Sequence, residues 1–378
     1  DPERLGVVGS SQGGWHAHMA AAHDSRIATA VPQNIFTQYD EFAVHNGCLT
    51  KWFFNRTMRR RIMSAGFQDL VRRWAVEGRW DLIREWVRPR SPLIFAERVR
   101  CPVLIVHGWH DVGMPPNEVL ELYNRLAVPK KLYLGGGGHD GEDNPAAGTL
   151  RQDLIDRWLD HWLMGDANGI MDEPAITYAR RPGWEHGTVS DLPPGDVEEK
   201  LYLHPEGKLL DSKPGGPDTH GNVNNVLMKD GYDLGSAIAD QMEGVPAALA
   251  HESTTFQSDP VTDAKEILGS PVAQLHMLVN GPSLQVVVDL VDSSPKGEER
   301  LITRGHFGTR SADPGRHMVV EIEMRTIGYV LPEGHRLFLR VSNYDTTYAF
   351  PYFEPFCARL YHGAKRSSSV RIPIRRDR

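Results

Sequence analysis

The stretch Leu5-Gly6-Val7-Val8-Gly9-Ser10-Ser11-Gln12-Gly13-Gly14 decides how the first half of this chain is read. Its apolar start predicts a short strand that stops at Ser10 and Ser11. The Ala-rich run from Trp15 to Ala22 has no breaker and predicts a helix directly after it. Gly9-Ser10-Ser11-Gln12-Gly13 sets a serine at the centre of Gly-x-Ser-x-Gly, at a strand-to-helix turn. So tight a turn leaves no room for side chains beside its central residue, which accounts for the glycines. The strained corner lifts the Ser11 hydroxyl clear of a sheet, and the Gln12 backbone N–H faces the place where an oxyanion would develop. Five residues are a weak pattern in a chain with 36 glycines. The strand before and the helix after give it weight.

A serine hydroxyl is a poor nucleophile until a base takes its proton, and that base must be held in one tautomer by an acid. In a parallel sheet of this kind the acid follows a later strand and the histidine the strand after that. Pro102–His107 reads as a buried strand followed by Gly108-Trp109-His110-Asp111. Lys131–Leu134 reads as the next, followed by Gly135 to Gly138 and His139. Ser11, Asp111 and His139 therefore fall in the required order, each just past a strand, on one edge of the sheet. Asp140 or Asp143 would replace Asp111 only if the acid followed the base. Trp109 and His110 flank the acid and are candidates to line the substrate pocket, whereas His107 ends an apolar strand and reads as a core histidine. His16 and His18, two apart on a helix, point to different faces and make no metal pair. Cys48, Cys101 and Cys357 are too scattered for a disulfide framework or a Cys-x-x-Cys site. No metal or organic cofactor is implied.

Ile27–Val31 is a second strand, and residues 36–100 read as a helical cap over the catalytic edge, with Trp52, Phe53, Phe54, Trp74 and Trp86 mainly as its core. From Lys51 to Arg90 this segment holds eleven Lys or Arg against four Asp or Glu. That excess is a solvated face or a rim attracting anionic substrates. Asn117–Leu126 and Leu150–Met164 predict further helices, so strands and helices alternate as in an α/β fold. Gly165–Gly195, rich in Gly, Pro and Asp, reads as a linker. Beyond it β-type segments recur at Lys200–Leu203, Ala273–Val279, Leu284–Leu290, Met318–Ile327, Arg336–Ser342 and Val370–Ile374, while residues 207–255 read as an irregular excursion. The organisation predicted is an α/β domain over 1–170 and an all-β sandwich over 171–378.

Composition sets the outer limits. A chain of 378 residues, 40% apolar and 24% charged, is folded, soluble and long enough for two cores. With 42 basic against 49 acidic residues, the net charge of −7 argues against a general nucleic-acid binder. No apolar run nears the roughly 18 residues of a membrane span. A homo-oligomer is compatible with all of this.

Taken together, Gly9-Ser10-Ser11-Gln12-Gly13-Gly14, Cys101-Pro102-Val103-Leu104-Ile105-Val106-His107-Gly108-Trp109-His110-Asp111 and Gly137-Gly138-His139 resemble the hydrolase domain of the X-Pro dipeptidyl-peptidase and cocaine esterase group of α/β-hydrolases. Lys200 to Leu209 is similar to the entry of that group's C-terminal β-domain. Ser258 to Thr262, Gly269 to Ala273, Leu301 to Phe307 and Leu331 to Leu337 are similar to its interior. The resemblance covers nearly all of the chain. It implies an α/β-hydrolase with a partial parallel sheet and helical cap, then a jelly-roll β-sandwich, with Ser11, Asp111 and His139 as nucleophile, acid and base. The elbow also resembles that of acetyl-xylan and cephalosporin-C deacetylases, which lack the β-domain.

Members of the group begin with several strands before the elbow strand, and only about five residues stand there in this chain. The loop that supplies a second oxyanion donor in the group, in cocaine esterase a tyrosine hydroxyl, has no counterpart, so Gln12 alone can be named. The elbow strand would keep an unpaired edge. The expectation is a C-terminal portion of a longer or two-chain enzyme, completed by an N-terminal segment or companion chain. With the true N-terminus expected to lie upstream, the compartment stays open between cytoplasmic and secreted bacterial types.

The expected activity is that of a serine hydrolase cleaving a carboxylic ester or amide, carboxylesterase-like. An alternative is an Xaa-Pro dipeptidyl-peptidase, whose pocket would need carboxylates for the substrate's α-amine; Asp40 and Glu41, just after the second strand, are the nearest candidates. A second alternative is a non-catalytic fragment whose β-domain binds carbohydrate or protein. The substrate expected is a small-molecule ester or a short peptide.

Overall fold

In the computed structural model the described residues are 1, 4–59, 64–139, 141–142, 144–193, 197–225, 252–345, 347–352 and 354–375. They divide into two compact units. The first comprises Asp1–Phe42, Glu85–Asp196 and Thr326–Val330; the second comprises Ala43–Arg84, Val197–Arg325 and Leu331–Arg378.

The first unit is built on a six-stranded sheet. Its strands, in both chain and spatial order, are β1 (Leu5–Ser10), β2 (Ile27–Gln33), β3 (Val103–Gly108), β4 (Lys130–Gly135), β5 (Ile176–Ala179) and β6 (His186–Val189). Pairing is parallel through β5, and β6 returns antiparallel. Parallel neighbours need crossovers, supplied in part by helices α1 (Gln12–His23), α2 (Pro116–Arg125) and α3 (Pro145–Leu159). Helices cover β3 well enough that all six of its residues are buried. The core at one face gathers Val31, Leu104, Val106, Tyr133, Leu154, Ile155, Trp158 and Ile170. Each such aliphatic side chain contributes about 1.5–3 kcal/mol by leaving water. Trp158 also spends its polar edge inside, its indole N–H donating to Thr29 Oγ1 at 2.8 Å.

β1 stands at the sheet's edge, with β2 on one side, and its residues alternate between half-buried and exposed. Val8 is 47% exposed. β5 and β6 lie inside the segment expected to be a linker. Ile176, Tyr178 and Ala179 are fully buried, but four-residue strands among Pro, Gly and Asp leave almost no periodicity to read. Residues 171–193 accordingly pack with the first unit rather than beginning the second.

The second unit is antiparallel. One sheet runs Leu209–Leu210, Val197–Leu203, Ser369–Arg375, Val272–Val279, Phe356–His362, Thr219–Asn225, and His317–Glu323 also pairs with Val272–Val279. Val272–Val279 alternates half-buried and buried residues, as a strand with one inward face must. The other sheet runs Ser253–Gln257, Arg336–Ser342, Leu284–Ser293, Glu299–Thr309. The expected strand Met318–Ile327 breaks after Glu323. Most of the expected excursion at 207–255, from residue 226 to 251, lies outside the described residues; its ends form strands.

The expected cap divides. Residues 85–100 stay with the first unit in short helical turns, whereas 43–84 build into the second. The aromatics explain it: Phe54 meets Phe350 edge-on at 4.8 Å, and Trp80 meets Tyr352 at 5.2 Å. The Tyr352 hydroxyl donates to the Gly47 carbonyl at 2.9 Å, and the Lys51 N–H to that of Tyr348 at 2.8 Å. Beneath them lies a buried polar network. Asp345 accepts from His306 Nε2 and, at 2.9 Å, from Arg304 Nη1, while Arg304 also grips Asp289. Burial works to raise the Asp345 carboxyl, but His306 and Arg304 hold it far below the usual carboxylate range.

Candidate active site

Ser11 sits between β1 and α1 with φ 59° and ψ −122°, a region that costs a non-glycine residue about 1–3 kcal/mol. Its surroundings over-determine that strain. The Ser11 N–H donates to the Gln33 carbonyl at 2.9 Å, and its carbonyl accepts from Trp15 N–H at 3.1 Å. A Cβ on Gly9 would run into the Gly13 backbone, and one on Gly14 into Gln33. Gly13 differs from both, since a Cβ there meets nothing within 4 Å. Two of the elbow's glycines are thus steric necessities and the third is not. Gln12 heads α1, where N–H groups have no intrahelical acceptor and the helix dipole is positive.

His139 Nε2 lies 2.9 Å from Ser11 Oγ, and His139 Nδ1 lies 2.7 Å from Asp111 Oδ2. The three residues, separated by 28 and 128 positions along the chain, form one hydrogen-bonded line. The Asp111 side chain is wholly buried and that of His139 is 12% exposed. Asp111 is fully committed: its other oxygen, Oδ1, accepts from the N–H groups of Gly113 and Met114, both at 3.0 Å. Such a carboxylate cannot turn, so it fixes the imidazole with Nδ1 protonated and Nε2 free to accept from the serine. His107, buried as expected, pins the far end of this loop through its Nε2 contact to the Met114 carbonyl at 2.8 Å.

Trp109 is 1% exposed, donates its indole N–H to the Ala179 carbonyl at 2.8 Å and packs against Tyr178. Instead of facing substrate, that ring is core. His110 is half-buried, and its backbone N–H ties to the Gly137 carbonyl at 3.1 Å. Asp40 and Glu41 are half-buried on the short helix Tyr39–Ala43, where Asp40 Oδ1 accepts from Ser91 Oγ at 3.3 Å. Asp140 and Asp143 lie outside the described residues. His16 is exposed, while His18 is buried, and burial lowers its imidazole to about 4. Cys48 and Cys101 are buried and Cys357 exposed, all as free thiols. Among the described residues no group of three or more His, Cys, Asp and Glu is placed to hold a metal ion, and no helix is long and apolar enough to cross a membrane.

Sequence reasoning passed over Asn34, which follows β2 with φ 43° and donates its side-chain amide to the His139 carbonyl at 2.8 Å. It also passed over Glu142, which binds the loop just ahead of His139. The run Gly135–Gly138 was the available signal, because four consecutive glycines imply something packed close against them.

Comparison with known proteins matches these features to one family. Residues 1–141 fit the family model of X-Pro dipeptidyl-peptidase (S15 family), and residues 168–356 fit that of the X-Pro dipeptidyl-peptidase C-terminal non-catalytic domain. A Bacillus cereus protein provisionally named Xaa-Pro dipeptidyl-peptidase is 25% identical over 268 residues, covering 67% of this chain and 44% of that protein. A Mycobacterium bovis protein provisionally named serine esterase is 21% identical, covering 71% and 49%. The chain thus spans less than half the length of these curated relatives. Among solved structures, an α-amino acid ester hydrolase superposes with a TM-score of 0.76 at 16% identity, covering 98% of this chain and 77% of that one. A CocE/NonD family hydrolase from Staphylococcus aureus gives 0.76 at 16%, covering 99% and 72%. These likenesses establish the fold, an α/β-hydrolase followed by a jelly-roll β-sandwich. The chain belongs to the X-Pro dipeptidyl-peptidase family, S15, with both the catalytic-domain and C-terminal-domain signatures in one polypeptide.

Proposed function

We propose that this chain carries the acyl-transfer centre of a serine hydrolase that cleaves a carboxylic ester or amide. The observation that carries the reading is the line Ser11–His139–Asp111, with contacts of 2.9 and 2.7 Å. Ser11 Oγ attacks the substrate carbonyl carbon as His139 Nε2 takes its proton, and Asp111 stabilises the resulting imidazolium. The Gln12 N–H, at the positive end of α1, donates to the oxyanion. Collapse of the tetrahedral intermediate expels the leaving group with the proton from His139 and leaves an acyl-enzyme on Ser11. Water, deprotonated by His139, then releases the acid and restores the serine. A single oxyanion donor is typically worth about 2.7–4 kcal/mol of transition-state stabilisation.

The second reading, an Xaa-Pro dipeptidyl-peptidase, is favoured by both family models and by the Bacillus cereus relative. The basic excess read as a solvated face or an anion-attracting rim lies largely in residues 43–84, which pack with the β-rich unit. Comparing kcat/KM on p-nitrophenyl butyrate and Ala-Pro-p-nitroanilide separates the two. A preference for the ester supports the first reading and a preference for the Pro amide the second. Turnover of both that survives Ser11→Ala would defeat either. Among the described residues β1 is paired on one side alone, and that supports a further strand there, from a companion segment or chain.

A further inference from the structure

The run Gly135–Gly138 ahead of His139 presents a physical problem. Four glycines in a row have the greatest backbone freedom a chain can have. Yet His139 must keep hydrogen-bond geometry to Ser11 and Asp111 at once, a tolerance of about 0.5 Å. Glu142 and the turn that carries it account for two of the glycines, Gly135 and Gly137, and for the rigidity; Gly136 is crowded instead by the Trp184 ring. A Cβ on Gly135 would overlap the Glu142 carboxylate, and one on Gly137 would overlap the Gly141 carbonyl. The run is therefore a socket into which this side chain folds back.

Within the socket, Glu142 Oε2 accepts from the Gly137 N–H at 3.1 Å and Oε1 from the Tyr133 hydroxyl at 3.0 Å. Tyr133 is 1% exposed on β4, and burial, followed by the Glu142 charge, pushes its phenol far above the ordinary value, so it remains a donor. His186 Nε2 on β6 lies 3.2 Å from the same hydroxyl, and the two rings stack at 5.8 Å. From the other side, Asn34 donates to the His139 carbonyl at 2.8 Å, while its own N–H donates to the Val106 carbonyl at 2.9 Å. Asn34 is 4% exposed and holds a left-handed backbone conformation that a non-glycine residue adopts at a cost. The base loop is thus tied to β4 and β6 through Glu142, and to β2 through Asn34.

We infer that Glu142 and Asn34 are positioning residues for the base, fixing the backbone on either side of the His139 side chain without touching substrate. This rests on the reading of His139 as the base, so the test has a readout independent of turnover. In the full chain the far-downfield proton signal of His139 Nδ1–H, bonded to Asp111, reports the loop's position directly. Glu142→Ala and Asn34→Gly, the latter keeping the left-handed backbone, should broaden or lose that signal. They should lower kcat on p-nitrophenyl butyrate by up to about 10²-fold with KM changed by less than about threefold. Glu142→Gln should keep the signal and most of kcat. Its carbonyl can accept from Gly137, its amide can donate to the Tyr133 oxygen, and Tyr133 can turn its hydrogen to His186. An unchanged signal in folded Glu142→Ala would overturn the inference, as would a Glu142→Gln variant as damaged as Glu142→Ala. A wild-type chain that shows the signal but never reacts at Ser11 would refute the hydrolase reading, while the spectra still decide the anchor.

Discussion

The distance between two loops sets the catalytic geometry, and Gly108 sets that distance. Gly108 closes β3 and begins the loop to Asp111; Gly137 and Gly138 lead to His139. A Cβ on Gly108 would lie 2.5 Å from the Gly137 oxygen and 2.9 Å from that of Gly138, where ordinary contact starts near 3.4 Å. Gly108→Ala must therefore part the loops by about 0.9 Å (3.4 − 2.5). If that displacement falls along the Asp111–His139 bond, 2.7 Å becomes about 3.6 Å, which is no longer a hydrogen bond. The imidazole then loses its fixed tautomer, and kcat/KM on p-nitrophenyl butyrate should fall by about 10²-fold or more, near 2.7 kcal/mol of activation energy. Overpacking should also lower unfolding stability by about 1–3 kcal/mol. Gly13→Ala is the internal control: nothing lies within 4 Å of its Cβ, and alanine is the better helix former, so stability should hold or rise by up to about 1 kcal/mol. Steady-state kinetics and thermal unfolding of both variants decide it. A Gly108→Ala enzyme within threefold of wild type would refute the reasoning.

Three further outcomes follow from single features. Asp111→Asn should keep the fold but cut kcat by about 10⁴-fold, because the amide can no longer enforce the Nδ1–H tautomer; circular dichroism beside steady-state kinetics checks both halves. His18 is held neutral to about 4 by burial, while the unfolded chain protonates it from about 6.5. Stability from this residue is therefore complete above pH 6.5 and declines as pH falls toward 4, by up to about 3 kcal/mol. Urea midpoints at pH 7 and pH 5 should differ less in His18→Asn than in wild type. Asp345→Ala takes the buried carboxylate from His306 and leaves Arg304 with Asp289 alone, and should lower stability by about 3–5 kcal/mol in chemical unfolding, without moving Ser11, Asp111 or His139.

Much of the catalytic edge was legible because its residues obey local rules. Ser11, Asp111 and His139 each stand a few residues past an apolar strand, and strand order alone brings them to one edge. The positioning residues were not legible for the opposite reason. Glu142 follows the base in an aperiodic loop, and its partners Tyr133 and Gly137 become neighbours only when the chain turns back. Asn34 signals nothing until its backbone is seen to be left-handed. Trp109 misled because aromatic residues beside a catalytic acid suggest a pocket, whereas its indole found Ala179 in the core. The helices of 51–84 were legible as helices, but not their allegiance: which sheet an aromatic face meets depends on residues such as Phe350 and Tyr352, nearly 300 positions away. Strands β5 and β6 are too short to carry a period.

The central claim is that Ser11 is a nucleophile activated by His139. Treating the purified chain with a fluorophosphonate probe and locating the adduct by tandem mass spectrometry tests it most directly. The account predicts stoichiometric phosphonylation of Ser11, abolished in Ser11→Ala and slowed by orders of magnitude in His139→Ala. Labelling at another serine, or labelling of Ser11 at the same rate without His139, would contradict it.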